Sequence, residues 1–429
     1  NNMAIFISGD IDIEETITLI SDKFSHWEAK PIPEIGPWIE EPLQGAERRT
    51  VQYPGEEQVQ LAFRTVSNSN ENKEALILLD MILDNRTAGL INLNLNQQQL
   101  VASAGSSPLF LNDAGSQSLY GIPKQEQTLE EVEQLLLGQL EIIKAGEFED
   151  WIIAAIINDF KKNEKARLEF NQARVSMMRD SFIQGSDWNY HIAELDRMSL
   201  LNKQDVVDVA NKYFGNDYVA VYRTDGQNDI PEVEKPQIDP VNIDSSLQSE
   251  FAANVLAMEH EAIEPTFVEA GKDYQVIEFA DGVALYYAPN PLNDLFTFSI
   301  NVDVGTEEIE KLGLAASLME VAGTTTMSNE ALQKEWYRMG TDFRFGVGGN
   351  SSSLSISGLD EQFAASLTLA LDLIKNPDSD EQTLQKMKGI LLKFREDQKS
   401  SPPAISRALY LYNRYGKESP MLERLTSKE

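Results

Sequence analysis

This chain repeats its own order of predicted elements, and that narrows what it can fold into. In residues 45–225 strand alternation over 51–66 precedes a helix over 74–90, with Leu76, Leu78, Leu79, Ile82 and Leu83 at helical spacing. Strand-like passages follow at 100–106 and 116–122. Next come a helix from Leu129, with Thr128 as cap and Glu131 three residues on, a second after Gly146 and a third over 166–182. A helix over 203–213 and a strand over 218–223 close the segment. After residue 266 the order returns. There is a hairpin about Asp281-Gly282, a strand over 296–304 and helices over 313–321 and 329–339. Strands over 342–347 and 353–358 and helices over 362–374, 381–397 and 403–415 complete it. Both segments thus run helix, two strands, three helices. A second self-match links the two hexapeptides Asn2 to Ile7 and Asp217 to Tyr222, each followed by a Gly/Asp turn. A repeat of about 200 residues marks duplicated domains, not solenoid units.

The expected organisation is therefore residues 1–25 as the terminal strand and helix of a preceding catalytic-type domain and 45–225 as a complete second domain. Residues 226–265 form a linker, and 266–429 a third, truncated domain. Pro231, Pro236 and Pro240 punctuate the linker, which holds one amphipathic helix near 247–258. Met3 to Ile7 reads as a buried strand with no lead-in, and Thr426 to Glu429 reads as a helix start at the other end. Both ends point to a piece of a longer polypeptide. The fold class is α+β: tandem domains, each a mostly antiparallel sheet with helices packed on one face.

Composition removes several function classes. An apolar fraction of 42% argues for folded material. With 36 Lys+Arg against 69 Asp+Glu the formal charge is −33, and no cationic cluster exists to release counterions from nucleic acid. The densest basic stretch, 161–167, is interleaved with Asn163 and Glu164, and an anionic membrane surface would repel the chain. Cysteine is absent, so disulfides and thiolate chemistry are excluded. No run of 18 apolar residues is present, and no charged–apolar–small leader stands at the start. The compartment, periplasm or cytoplasm, is left open.

The strings and their order resemble the pitrilysin/insulinase family of zinc metallopeptidases, the inverzincins. Asn2-Met3, the apolar run, Gly9-Asp10-Ile11-Asp12 and Phe24 are similar to the segment that closes that family's catalytic domain. The stretch from Lys311 to Glu320 with Gly323-Thr324, then Gly340-Thr341-Asp342-Phe343 and 354–359, resembles its inactive third domain. The resemblance implies four homologous domains in two halves that close on an unfolded peptide, which adds a strand to a sheet edge beside zinc. It also implies that this chain forms non-catalytic walls of that chamber, its partners being the peptide and the remaining domains. The other reading is a naturally inactive scaffold or partner subunit of a separate catalytic chain.

The zinc motif of the family is H-x-x-E-H on a helix, with a downstream Glu as third ligand. Only His26, His191 and His260 occur here, and none has a second His four residues on. His191 begins an H-x-x-E with Glu194, but Leu195 stands where the second His belongs; helical packing explains it. His260 lies among linker charges, and His26 beside Trp27 reads as packing. In 313–323 the one ionisable group is Glu320, and a single carboxylate cannot hold zinc. Arg414-Tyr415 is not the family's substrate-binding Arg/Tyr pair, which lies in the fourth domain. The glycines of 346–349 lack the strand–G-x-G-x-x-G–helix context for phosphate. The five tryptophans, Trp27, Trp38, Trp151, Trp188 and Trp336, read as core or chamber wall. No catalytic, cofactor-binding or metal-ligating residue is expected in this chain, and zinc is expected only in the parent.

Overall fold

The computed structural model describes residues 3–28, 30–33, 36, 40–227, 233–239, 244, 247–259 and 264–422. The chain opens with α1 (Ile13–Phe24) and the strands β1 (Glu47–Gln52) and β2 (Gln58–Thr65). After α2 (Lys73–Leu83) and a π-helical turn at Asn92–Asn96 come β3 (Ser103–Phe110) and β4 (Gly115–Ile122). Six helices follow: α3 (Leu129–Lys144), α4 (Trp151–Leu168), α5 (Asn171–Gln184), α6 (Trp188–Ile192), α7 (Glu194–Met198) and α8 (Lys203–Tyr213). β5 (Tyr218–Thr224) ends this part. Next are α9 (Glu250–Leu256), β6 (Gln275–Ala280), β7 (Val283–Tyr287), β8 (Leu295–Val302), α10 (Leu312–Glu320), β9 (Gly323–Thr324) and α11 (Asn329–Arg338). Last come β10 (Asp342–Val347), β11 (Ser352–Leu359), α12 (Phe363–Lys375), β12 (Pro377–Asp378), α13 (Glu381–Gln398) and α14 (Pro402–Tyr415).

The first sheet has the order β1-β5-β2-β4-β3, antiparallel except where β1 joins β5. Its strands alternate as the sequence does. Val59, Leu61 and Phe63 of β2 and Tyr218, Ala220 and Tyr222 of β5 are buried, while Gln60 and Arg64 are exposed. Helices α2, α3 and α8 cover the buried face through Leu76, Leu79, Leu83, Val132, Leu136, Leu140, Val206 and Val209. A Cβ at Gly121 would stand 2.4 Å from Val132 Cγ1, so glycine there lets α3 lie directly on β4. The Thr128–Glu131 capping box is formed at the start of α3.

The second sheet, β8-β11-β10, repeats β2-β4-β3 strand for strand and is antiparallel throughout. Leu354 and Ile356 of β11 pack with Leu332, Trp336 and Met339 of the α11 region and Ala370 and Leu373 of α12. The two sheets thus share a three-strand order. The two copies differ beyond β2 and β8: the first sheet continues through β5 and β1, whereas β8 has no further neighbour among the described residues. Residues 229–292 form a separate compact unit; all others form one unit. In the smaller unit β6 and β7 make an antiparallel hairpin.

Some elements differ from the sequence expectation. Met3 to Ile7 makes no strand, and Met3, Ile5 and Ile7 are 69%, 54% and 43% exposed. An apolar run becomes a buried strand only where a sheet offers it an edge, and here only Phe6 finds a ring, that of Phe182 at 5.9 Å. The helix expected over 74–90 stops at Leu83. There Asp84 and Asn85 turn their side chains to the backbone of Arg86, Thr87 and Ala88, and Arg86 is left-handed. Strand 51–66 is two strands, broken at Pro54-Gly55. The helix start expected at Thr426 lies outside the described residues.

Candidate functional site

α2 and α10 are placed alike, each following the first antiparallel strand of its sheet, which is where the resemblance implies a zinc-motif helix in a catalytic domain. Neither carries a histidine. Among the described residues no group of three or more His, Asp or Glu side chains is placed to hold a metal ion. The three histidines do not converge. His26 lies edge-on to Trp27, and His191 stacks on Trp188 at 6.1 Å. Its H-x-x-E partner Glu194 opens the next helix, beyond Ala193, and pairs with Lys73 Nζ at 2.6 Å. His260 lies outside the described residues.

The other sequence motifs have local partners. Arg414 sits over the Tyr415 ring and donates to Tyr410 Oη at 3.3 Å, both within α14. Gly348 and Gly349 accept backbone bonds from Thr306 and Glu307, so this turn braces the loop before α10. Trp336 is 2% exposed and stacks on Phe343 at 5.2 Å, whereas Trp27 is 55% exposed. Trp38 lies outside the described residues.

Two polar assemblies escaped the sequence reading. The first is the outer face of α4. Lys162, 6% exposed, bonds Asp159, Asp342 and the carbonyl of Gly340. Burial pulls its ammonium down, but the bond to Asp159 and the charges of Asp159 and Asp342 outweigh this and leave it raised. Along the same face Lys165 pairs with Asp294 at 2.8 Å, and Glu149, just ahead of the helix, with Lys334 at 2.6 Å. Arg338 lies over the Trp151 ring at 4.4 Å. Tyr337, 6% exposed, enters the core of the first sheet, and its hydroxyl has no partner. The cluster at 161–167 is therefore a docking seam between residues 149–169 and residues 294–342. Its signal was polar spacing along a helix whose opposite face carries Ile152, Ile153, Ile156 and Ile157.

The second assembly joins α3 to the first sheet around a buried carboxylate. Glu133 of α3, 1% exposed, accepts bonds from Tyr218 Oη at 2.6 Å, from Tyr222 Oη and from Arg48 Nη2 at 2.8 Å. Burial alone would raise this carboxyl. The bonds from the two tyrosines and Arg48 overcome that and hold it below the ordinary 4.5, while burial and Glu133 push Tyr218 up to about 12. Every member is partnered, so the group fastens α3 to β1 and β5, with the Arg48 side chain, 48% exposed, at its outer edge.

Comparison with known proteins agrees with this geometry. Residues 1–160 match the family model of the peptidase M16 inactive domain. No curated protein matches the chain. Among solved structures, pitrilysin is 13% identical over 95% of this chain and 46% of its own, with a TM-score of 0.52. The ferredoxin protease FusC, solved with Arabidopsis ferredoxin, is 14% identical over 98% and 51%, with a TM-score of 0.46. A Helicobacter pylori protease is 22% identical over 50% and 54%, with a TM-score of 0.47. The chain spans about half the length of these structures. The α+β fold is similar to that of pitrilysin, and residues 1–160 match the inactive domain of the M16 peptidases.

Proposed function

We propose that this chain is the non-catalytic middle of an M16-type zinc peptidase, walling the chamber in which an unfolded peptide is cut. The observation that carries the reading is the pairing of an M16 fold with two zinc-helix equivalents, α2 and α10, that hold no histidine. Hydrolysis needs three ligands, an open metal position and a base. In this reading residues 1–25 end a catalytic-type domain, 45–225 and 266–429 are two inactive domains, and 226–265 joins the halves. Zinc and peptide cleavage belong to the remainder of the parent polypeptide. The acidic surface, −33 overall, favours basic peptides.

Metal analysis of the purified chain together with a fluorogenic peptide assay tests this. The expected result is no stoichiometric zinc and no cleavage above buffer. Tightly bound zinc at one per chain, or cleavage that a chelator abolishes, overturns it.

A further inference from the structure

The second sheet ends on an unfilled edge. β8 opposes β11 as β2 opposes β4: Phe296 stands across from Gly358 as Val59 stands across from Gly121, and Phe298 and Ile300 follow as Leu61 and Phe63 do. Phe296 and Phe298 both meet the Phe363 ring of α12, at 5.0 and 5.7 Å, so Phe296, Phe298 and Ile300 line the helix-covered face. Here the two sheets part. β2 has β5 on its other side, where the Tyr218 ring lies 5.0 Å from that of Phe63, and Phe63 is 1% exposed. β8 has no strand there among the described residues, and Ile300 is 36% exposed. Among those residues no backbone bond is made on that side between Phe296 and Val302. An open edge of this kind is a template for another strand.

Residues 3–7 fit that template. The hexapeptide Asn2 to Ile7 matches Asp217 to Tyr222, which in β5 runs along β2. By that match Met3, Ile5 and Ile7 take the places of Tyr218, Ala220 and Tyr222, the three residues that β5 buries. Laid antiparallel on β8 they would oppose Ile300, Phe298 and Phe296, as Tyr218, Ala220 and Tyr222 oppose Phe63, Leu61 and Val59. In the structure Met3, Ile5 and Ile7 are exposed, and the segment is held on α5 by its neighbouring residues. Phe6 meets the Phe182 ring, and Ser8 Oγ donates to Asn171 Oδ1 at 3.0 Å. Held there, it leaves β8 of its own chain unpaired and its apolar face open to another molecule. Charge favours a second copy as that molecule. In a chain of −33, residues 3–7 and 295–302 carry no ionisable group, so two copies meet here without setting carboxylate against carboxylate.

We propose that this chain associates with a second copy of itself by strand addition, residues 3–7 of one copy lying antiparallel on the β8 edge of the other. Two-fold symmetry makes the exchange reciprocal, so each dimer holds two such contacts. In each, main-chain bonds supply the attraction, and Met3, Ile5 and Ile7 cover Ile300, Phe298 and Phe296. The interface is small, well under the ~1,600 Å² of a standard one, so the dimer forms and parts in the micromolar range. The inference rests on strand register and the hexapeptide match, and it is independent of the peptidase reading.

The test is sedimentation velocity of the full chain from about 1 to about 300 µM. Monomer should give way to dimer as concentration rises, and hydrogen exchange in peptides covering 3–7 and 295–302 should slow together. Met3→Lys and Ile300→Glu should each weaken dimerisation about tenfold or more with an unchanged far-UV spectrum, since a lone charge then faces apolar side chains. Mixed together, the two variants should associate again. Each mixed dimer sets the new lysine against the new glutamate in one contact and keeps native residues in the other, a rescue that only this register predicts. Met3 lies at the surface, so its variant keeps the test decisive should Ile300→Glu not fold. The proposal fails if the chain stays monomeric across the range. It fails if a dimer forms that neither substitution weakens, which would put the contact on another surface. It fails equally if exchange in both peptides is already slow in the monomer and Met3→Lys quickens it, which would mean that the segment fills the β8 edge of its own chain.

Discussion

Replacing Glu133 by Gln isolates the energy held in the quartet around this buried carboxylate. The carboxylate accepts from two tyrosine hydroxyls and one guanidinium, and it is 1% exposed. Gln keeps the size and one acceptor, so Oε1 still serves Tyr218 and Arg48. Its Nε2, however, faces the Tyr222 hydroxyl, which must reverse its bond, and the charge that strengthened all three contacts is gone. Hydrogen bonds to charged groups contribute about 1.5–3 kcal/mol each. One bond lost and two weakened give an expected cost of about 2–3 kcal/mol at pH 7. The pH dependence has a definite sign. The folded carboxyl lies below the ordinary 4.5, so its stabilisation is fully present above that value and fades as pH falls through the folded pKa. The gap between the unaltered chain and Glu133→Gln should thus be widest near neutrality and shrink in acid. Hydrogen exchange followed on peptides spanning 218–224 reads this locally, because β5 carries both tyrosines. A Tyr222→Phe double-mutant cycle then assigns the coupling. A gap at pH 7 under about 0.5 kcal/mol, or one that holds or widens in acid, would refute the reasoning.

Tyr337→Phe removes a buried hydroxyl that has no partner, and should leave stability unchanged or raise it by about 1 kcal/mol in urea melts. Lys162→Met strips from Asp159 the cation it pairs with among the described residues and should cost about 2–3 kcal/mol, whereas Lys165→Met, at the half-exposed pair with Asp294, should cost under about 0.5 kcal/mol by the same melts. Thr128→Ala breaks the capping box of α3 and should cost about 1 kcal/mol. The raised Asp80 makes the fold firmer in acid. That contribution is complete below the ordinary 3.8 and lost as pH rises through about 6, up to about 3 kcal/mol, so Asp80→Asn should flatten the stability profile over that window.

Periodicity located most of the elements. The spacing of Val206, Val209 and Ala210 marks the buried stripe of α8, which occupies the same 203–213 as expected. Strand 342–347 is likewise as expected, because its turn glycines and alternation are local signals. What went unseen has non-local causes. Glu133 meets Tyr218 and Tyr222 across 85 and 89 residues, and Lys162 meets Asp342 across 180. In one dimension these are ordinary charges and hydroxyls in an acidic chain. The reading of Met3 to Ile7 as buried failed for the converse reason: the local pattern is that of a strand, but burial depends on a sheet edge that the pattern does not contain.

By itself the sequence determined the α+β class and the absence of an H-x-x-E-H, since these rest on residue types and their spacing. The tertiary structure alone decided which polar groups became structural. Closing α3 onto β4 at Gly121 brought Glu133 under two tyrosines. Docking the α11 region on α4 turned a basic stretch into a seam. Folding α2 over β3 and β4 buried Asp80 against Ser106 and Gln117. Burial sets the strength of each of these interactions, and burial exists only once the layers have packed.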